Sequence, residues 1–355
     1  MRAPTWLRIA LCASALMLVQ PAAGLAGSLL YMDLVSTTPY TLGLKALSLR
    51  TLQVSTVLVI GPSESEFDQV STADGGMYYA TVQHPGPNGS LWAETIAVAL
   101  PQAGSAADAV ASPAKIVGRM NTSACYKLFV SAPAELLCVS AMNPVYRLDM
   151  KALTIRAVGT FSGSTVNQVA AYDAKAGLVY AWLEDGAGAQ RLHAMNAKTG
   201  ELLPPRVFQP NSIVDDISID ATGRAYGAVM NMTSGPPKAE WASFFASFDL
   251  TGGPSSAPIG FEPVGGAETF GVMSISRGSM TSCAIGTTPG AAKVCYPKIN
   301  NGFLGGGTYF LTGFPDAVSP ANDTIIGVDI KTGAVVLEAV RDGKRMLIDM
   351  AFTSS

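Results

Sequence analysis

An all-β fold, a propeller of small four-stranded sheets set in a ring, is what this sequence predicts, and three observations carry the prediction. A polar-then-apolar segment recurs as Phe67-Asp68-Gln69-Val70-Ser71, Val166-Asn167-Gln168-Val169-Ala170, Val214-Asp215-Asp216-Ile217-Ser218 and Leu347-Ile348-Asp349-Met350-Ala351. A turn signature recurs as Asp149-Met150-Lys151-Ala152, Asn196-Ala197-Lys198-Thr199-Gly200, Asp249-Leu250-Thr251-Gly252 and Asp329-Ile330-Lys331-Thr332-Gly333. A glycine stands three positions before a tyrosine at Gly75 and Tyr78, Gly177 and Tyr180, Gly223 and Tyr226, and Gly306 and Tyr309. Self-similarity at intervals of roughly 40 to 60 residues marks a repeat architecture, in which each unit buries its faces only against its neighbours.

Each unit reads as four strands. Strand a holds the polar-then-apolar segment and strand b the tyrosine. Strand c ends in the Asp/Asn turn, whose side chain bonds its own downstream backbone while the glycine takes positive φ; strand d follows, as in Ala334 to Ala339. Asp149, Asn196 and Asp249 lie 47 and 53 residues apart, the length of one four-stranded blade. Tyr126-Lys127-Leu128-Phe129 and Phe270-Gly271-Val272-Met273 stand at strand-a positions, which makes six blades. The 77 residues from Val272 to Asp349 leave room for a seventh, eroded blade, or for an insertion in the last one. The chain after residue 26 opens with strands b, c and d (28–60) and ends with a lone strand a (346–352), so both ends are expected to share one sheet and remove its open edges.

Composition fits. There are 36 glycines and 22 prolines, only 14% charged residues and a mean hydropathy of +0.30, which suit an all-β chain with many turns. A net charge of −3 gives no electrostatic case for nucleic acid or an acidic membrane. Residues 27–355 read as one domain. Residues 1–26 read as a signal peptide: Arg2 and Arg8 precede an apolar stretch from Ile9 to Val19, with small residues at a cut after Gly24 or Ala26. No later run is long enough to span a bilayer, so a secreted, extracellular chain without a membrane span is expected.

Four cysteines follow the leader: Cys125, Cys138, Cys283 and Cys295. Three pairings are open. The two local ones are expected, because each pair flanks a turn, Ser131-Ala132-Pro133 or Thr288-Pro289-Gly290, that places it across a hairpin. Sequons at Asn88, Asn121, Asn231 and Asn322 mark glycosylated loops in a eukaryotic secretory path and chance matches in a bacterial one.

The turn, the glycine-to-tyrosine spacing and the closure resemble the YVTN and quinoprotein-like propellers, with the gluconolactonase and strictosidine-synthase type as a six-bladed relative. The resemblance covers nearly the whole mature chain. The Trp-Asp dipeptide of WD repeats and the tryptophan docking motifs of quinoproteins do not occur in it. Such propellers include lactonases, dehydrogenases and plain binding scaffolds, so the resemblance implies a fold and leaves function open. The lactonase type holds an axial divalent ion with Glu, Asn and Asp, and that Glu has no counterpart in this sequence.

Catalytic motifs are scarce. Only His84, placed in a Pro/Gly-rich loop, and His193, in a strand c, offer imidazole, and both are expected to be structural or exposed. There is no Gly-x-Ser-x-Gly elbow, Walker loop or dinucleotide fingerprint, and Gly305-Gly306-Gly307 reads as a turn. What remains is a set of polar residues on the innermost strands: Asp68, Gln69, Lys127, Asn167, Gln168, Asp215, Asp216 and Asp349. They would line an axial channel, and the plainest role for them is to satisfy strand edges facing water. No cofactor is called for, though Ca²⁺ is the ion that Asp215 and Asp216 would suit. The sequence thus reads as a secreted, glycosylated scaffold that binds a protein or a glycan. The alternative is a metal-dependent hydrolase or lactonase using the axial acids.

Overall fold

Turns set the sheets before packing does. Asp149 Oδ1 accepts the amides of Lys151 and Ala152, Asn196 Oδ1 those of Lys198 and Thr199, and Asp329 Oδ1 those of Lys331 and Thr332, all at 2.8–3.0 Å. Gly200 and Gly333 close two of these turns at φ of +76° and +69°. At Gly200 a Cβ would lie 2.1 Å from the Val158 carbonyl oxygen, so the turn needs glycine for space as well as for φ.

The computed structural model describes residues 28–37, 40–62, 70–74, 76–85, 88, 90–101, 114–140, 144–185, 187–214, 216–234, 239–251, 257–264, 272–276, 279–284, 296–297, 303–314, 324–340 and 351–352. Strands β1 (Ser28–Thr37), β2 (Tyr40–Ser48) and β3 (Val54–Pro62) open the chain. Blade 1 is β4 (Val70–Asp74), β5 (Met77–Pro85), β6 (Leu91–Ala99) and β7 (Lys115–Thr122). Blade 2 is β8 (Cys125–Ala132), β9 (Glu135–Ser140), β10 (Pro144–Asp149) and β11 (Thr154–Thr160). Blade 3 is β12 (Ser164–Asp173), β13 (Leu178–Glu184), β14 (Gln190–Asn196) and β15 (Leu202–Arg206).

Blade 4 is less regular. Its inner strand is split into β16 (Ser212–Val214) and β17 (Ser218–Ile219), both paired to β18 (Ala225–Ser234), which pairs with β19 (Ala239–Phe248). Its outer position is shared between β20 (Glu262–Pro263) and β21 (Val272–Ser276), and β22 (Ser279–Ala284) extends the sheet beyond β21. Blade 5 comprises β23 (Tyr296–Pro297), β24 (Phe303–Gly305), β25 (Thr308–Phe314), β26 (Thr324–Asp329) and β27 (Val335–Val340). Blade 6 is the closure: β28 (Ala351–Phe352) pairs with β1 at Leu29↔Phe352 and Leu30↔Ala351, and β2 and β3 complete the sheet.

The protein is therefore a six-bladed β-propeller sealed by its first and last strands. The inner strands β4, β8, β12, β17, β24 and β28 each touch the next around the ring. One apolar cluster fills each of the six junctions between neighbouring blades. Tyr78 and Tyr309 of the predicted strand-b set, and Tyr31 of β1, are fully buried in these clusters, each ring worth roughly 1.5–3 kcal/mol of transfer free energy.

Two expectations need correction. Val272 and Met273 are not on an inner strand; they lie in β21, paired to β19 on the outer side of blade 4, and the inner strand of blade 5 is β24. The true inner strand, Phe303–Gly305, is only three residues long and too short to show a period of two, so pattern alone chooses the longer apolar segment of β21 instead. His84 is not in a loop: it lies in β5, directly opposite Trp92 of β6. The expected hairpin bridge is present between Cys125 and Cys138, whose Cα atoms are 5.4 Å apart across β8 and β9. Cys283 lies in β22, while Cys295 and residues 1–26 fall outside the described residues.

Candidate functional site

The recurring polar-then-apolar segment marks the places where inner strands leave the ladder. Pairing lapses between Cys125 and Lys127 in β8, between Thr165 and Ala170 in β12, and between Val214 and Ser218 in blade 4. Such bulges bend a strand and re-aim one side chain. The apolar member of the segment, Val169 or Ile217, then packs into a junction between blades. Its polar neighbour is left to find a partner.

Asp216 finds one 89 residues away. Lys127 Nζ donates to Asp216 Oδ2 at 2.7 Å, and the Ile217 amide donates to Oδ1 at the same distance. The two side chains are only 7% and 2% exposed. The pair joins blade 2 to blade 4 past the inner strand of blade 3. Blade 4 accommodates it by a close backbone approach: a Cβ on Gly227 would sit 2.2 Å from the Asp216 carbonyl oxygen. Only glycine in β18 admits that approach.

Lys127 also lines an axial cavity of about 140 Å³, together with Thr72, Phe129, Tyr172, Ser218 and Phe303. Ligand clefts usually run to roughly 300–1,000 Å³, so this space suits ordered water better than a substrate. Burial pushes the Tyr172 phenol up, against the opposing effect of the Arg147 charge, so it stays a neutral hydroxyl at the cavity wall.

Of the predicted axial set, Lys127 and Asp216 are brought together. Asn167 and Gln168 lie on the bulged part of β12, where only the backbone path is described. Asp68, Gln69, Asp215 and Asp349 lie outside the described residues. An ammonium on one oxygen and an amide on the other leave Asp216 poorly placed to ligate a divalent cation, whose charge would be repelled by Lys127. Among the sequons, Asn88 and Asn121 are exposed, Asn231 is half-buried in β18, and Asn322 is outside the described residues.

Sequence reasoning missed a second cluster, at the outer end of blade 1. Glu94 is only 4% exposed, yet it receives both His84 Nε2, at 2.8 Å, and Arg119 Nη1. His84 in turn stacks on Trp92, with ring centroids 4.4 Å apart and planes 26° from parallel. On the opposite face of the sheet a hydroxyl ladder runs from Thr81 to Thr95 to Thr122 at 3.2 and 3.1 Å. Trp92 and Thr122 border a concavity of about 520 Å³ at this end of blade 1, lined also by Gln83, Ala93, Asn121, Ser123 and Ala124. The signal that would have found the cluster is the hairpin: the pairing of β5 with β6 sets His84 opposite Trp92 and Gln83 opposite Ala93.

No protein-family model matches the chain. No curated protein matches it. Among solved structures the chain is similar to TolB from Acinetobacter baumannii, at 14% identity and a TM-score of 0.49, over 93% of this chain and 67% of that one.

Proposed function

We propose that this protein is an exported, glycosylated propeller that works as a rigid binding scaffold, presenting its loops and blade ends to a protein or glycan partner. The observation that supports this best is the state of Asp216. An axial acid serving as general base or metal ligand needs an accessible carboxylate, whereas Asp216 is buried, paired with the Lys127 ammonium and hydrogen-bonded at both oxygens. The small axial cavity points the same way, since the larger concavity lies on the rim. Export rests on the leader-like residues 1–26 and is compatible with the Cys125–Cys138 bridge. Glycosylation rests on the sequons, two of which are exposed.

Metal analysis of the purified chain after dialysis tests the reading. The expected result is no stoichiometric divalent ion, with partner binding retained in Asp216→Asn. Stoichiometric Ca²⁺, Mn²⁺ or Zn²⁺ that disappears in Asp215→Ala/Asp216→Ala would replace the scaffold with the hydrolase. Sequencing the exported product from its N-terminus should begin after Gly24 or Ala26.

A further inference from the structure

Among the described residues, Trp92 is the exposed aromatic ring whose position is most heavily specified. It is 43% exposed, yet one face of it is occupied by His84, which is fixed by Glu94, which is fixed by Arg119. A carboxylate buried to that extent costs free energy unless its partners are well placed, and here the arrangement holds an indole still at the surface. The floor beside it is equally constrained. Ser123 and Ala124 run directly into the disulfide-bonded Cys125, and Thr122 is anchored from the opposite face of the sheet by the hydroxyl ladder that begins at buried Thr81. Preorganisation of this kind reduces the entropy lost on binding.

The chemistry of the walls narrows the ligand. Besides Trp92, the concavity is lined by Gln83, Asn121, Thr122, Ser123 and two alanines, none of them ionisable. Arg119, the nearby cation, is already paired with Glu94. A charged ligand would find no countercharge there, and a purely apolar one would desolvate the exposed Asn121 amide and Ser123 hydroxyl. An indole plane that shares its cleft with the exposed Asn121 amide and Ser123 hydroxyl matches a molecule with an apolar C–H face and a rim of neutral hydroxyl groups. The volume, about 520 Å³, is that of a ligand-sized cleft and takes more than one sugar ring. We infer that the cleft at the β5–β6 hairpin end of blade 1 is a binding site for a neutral oligosaccharide that stacks on Trp92. This names a ligand class for the scaffold proposed above and rests on that reading.

Asn121 is itself a sequon residue, and a sugar attached to it would compete for the same ring. The test therefore uses the full chain made by a host without N-glycosylation and exported to an oxidising compartment. It is screened on an array of neutral and anionic oligosaccharides, and hits are titrated by tryptophan emission. Neutral sugars should bind and shift the emission. Trp92→Ala should weaken binding about tenfold or more, the effect expected of a central aromatic contact, with an unchanged melting temperature. Trp92→Phe, which keeps a ring on His84, should retain part of the affinity and lose the emission shift. Val336→Ser, on the exposed outer strand of blade 5, should bind like the parent. The inference is overturned if no neutral sugar binds, if only anionic sugars bind, or if both Trp92 variants bind like the parent. Any of those results beside an intact complex with a protein partner would remove the saccharide and leave the scaffold standing.

Discussion

The axis and the rim of this propeller each bury a carboxylate, and they satisfy it in different ways. At the axis Asp216 meets one cation, Lys127, which comes from a blade two positions away and 89 residues earlier in the chain. At the rim Glu94 meets His84 and Arg119 from the two strands that flank it in the same sheet, 10 and 25 residues away. The rim cluster is complete once blade 1 has formed. The axial pair forms only when blades 2, 3 and 4 have docked in register. Net stabilisation from a buried pair is small, because desolvation offsets most of the attraction, but a wrong assembly leaves both charges stranded. The axial pair is thus best understood as a check on ring assembly, and the rim cluster as a device that orients a surface residue.

That contrast predicts a hierarchy of mutational costs. The largest belongs to Lys127→Met, which leaves Asp216 buried with its main partner gone; a loss of about 3–5 kcal/mol is expected in equilibrium unfolding by urea. Lys127→Met combined with Asp216→Asn removes the stranded charge, keeps an acceptor for the Ile217 amide, and should recover much of that loss. A cost below about 1 kcal/mol for the single variant would show that the axis tolerates an unpaired acid and that the assembly role is wrong.

Next comes the bridge that sits between the two regions. Strand β8 carries Ser123 and Ala124 of the rim cleft just ahead of it, then Cys125, then Lys127. Replacing Cys125 and Cys138 together by serine opens a 13-residue loop and should cost on the order of 2–3 kcal/mol. If the bridge also holds the cleft floor, the double variant should bind its ligand more weakly at temperatures where it is still folded. Loss of stability with unaltered binding would confine the bridge to the fold.

Much of the propeller was legible in the sequence, and the reason is range. The turns at Asn196 and Asp329 are built from bonds two and three residues long, so the residues that make them are adjacent in the text. Ring closure was legible because strand order alone requires the last strand to pair with the first. Blade 5 was misread because three-residue β24 carries too little pattern to compete with β21. The candidate sites were less legible. Lys127 and Asp216 were both marked as polar residues on inner strands, yet nothing local says that one answers the other. His84 was set aside because Pro85-Gly86-Pro87 suggested a loop, whereas the strand runs through Pro85 and the partners come from two further strands.

Glu94→Gln is the milder counterpart at the rim. It removes one charge but keeps the shape and one acceptor, and Arg119 is 46% exposed, so solvent takes over part of its stabilisation. A cost of about 1 kcal/mol is expected in urea unfolding. The more telling readout is Trp92, whose emission and near-ultraviolet dichroism should change as the His84 stack loosens. An unchanged tryptophan spectrum together with unchanged stability would mean that the three-residue cluster does not position the ring.

The smallest effect expected lies at neither place, in the junction between blades 2 and 3. His193 packs edge-on against Phe161, its Nε2 buried without a hydrogen-bond partner. Burial holds its pKa below 6.5, helped by the Arg191 charge and opposed by that of Asp185. The unfolded chain therefore binds a proton more readily than the folded one. The contribution of neutral His193 is fully present above about pH 6.5, declines as the pH falls through that value toward the lowered folded pKa, and levels off below it. The melting temperature of the parent should thus fall between pH 7.5 and pH 5, and His193→Gln should remove part of that slope. Because the ring is tied into neither buried carboxylate, Lys127→Met and Glu94→Gln should leave the His193-dependent part of the slope in place. If His193→Gln leaves the slope unaltered, the acid sensitivity does not come from the buried imidazole of His193.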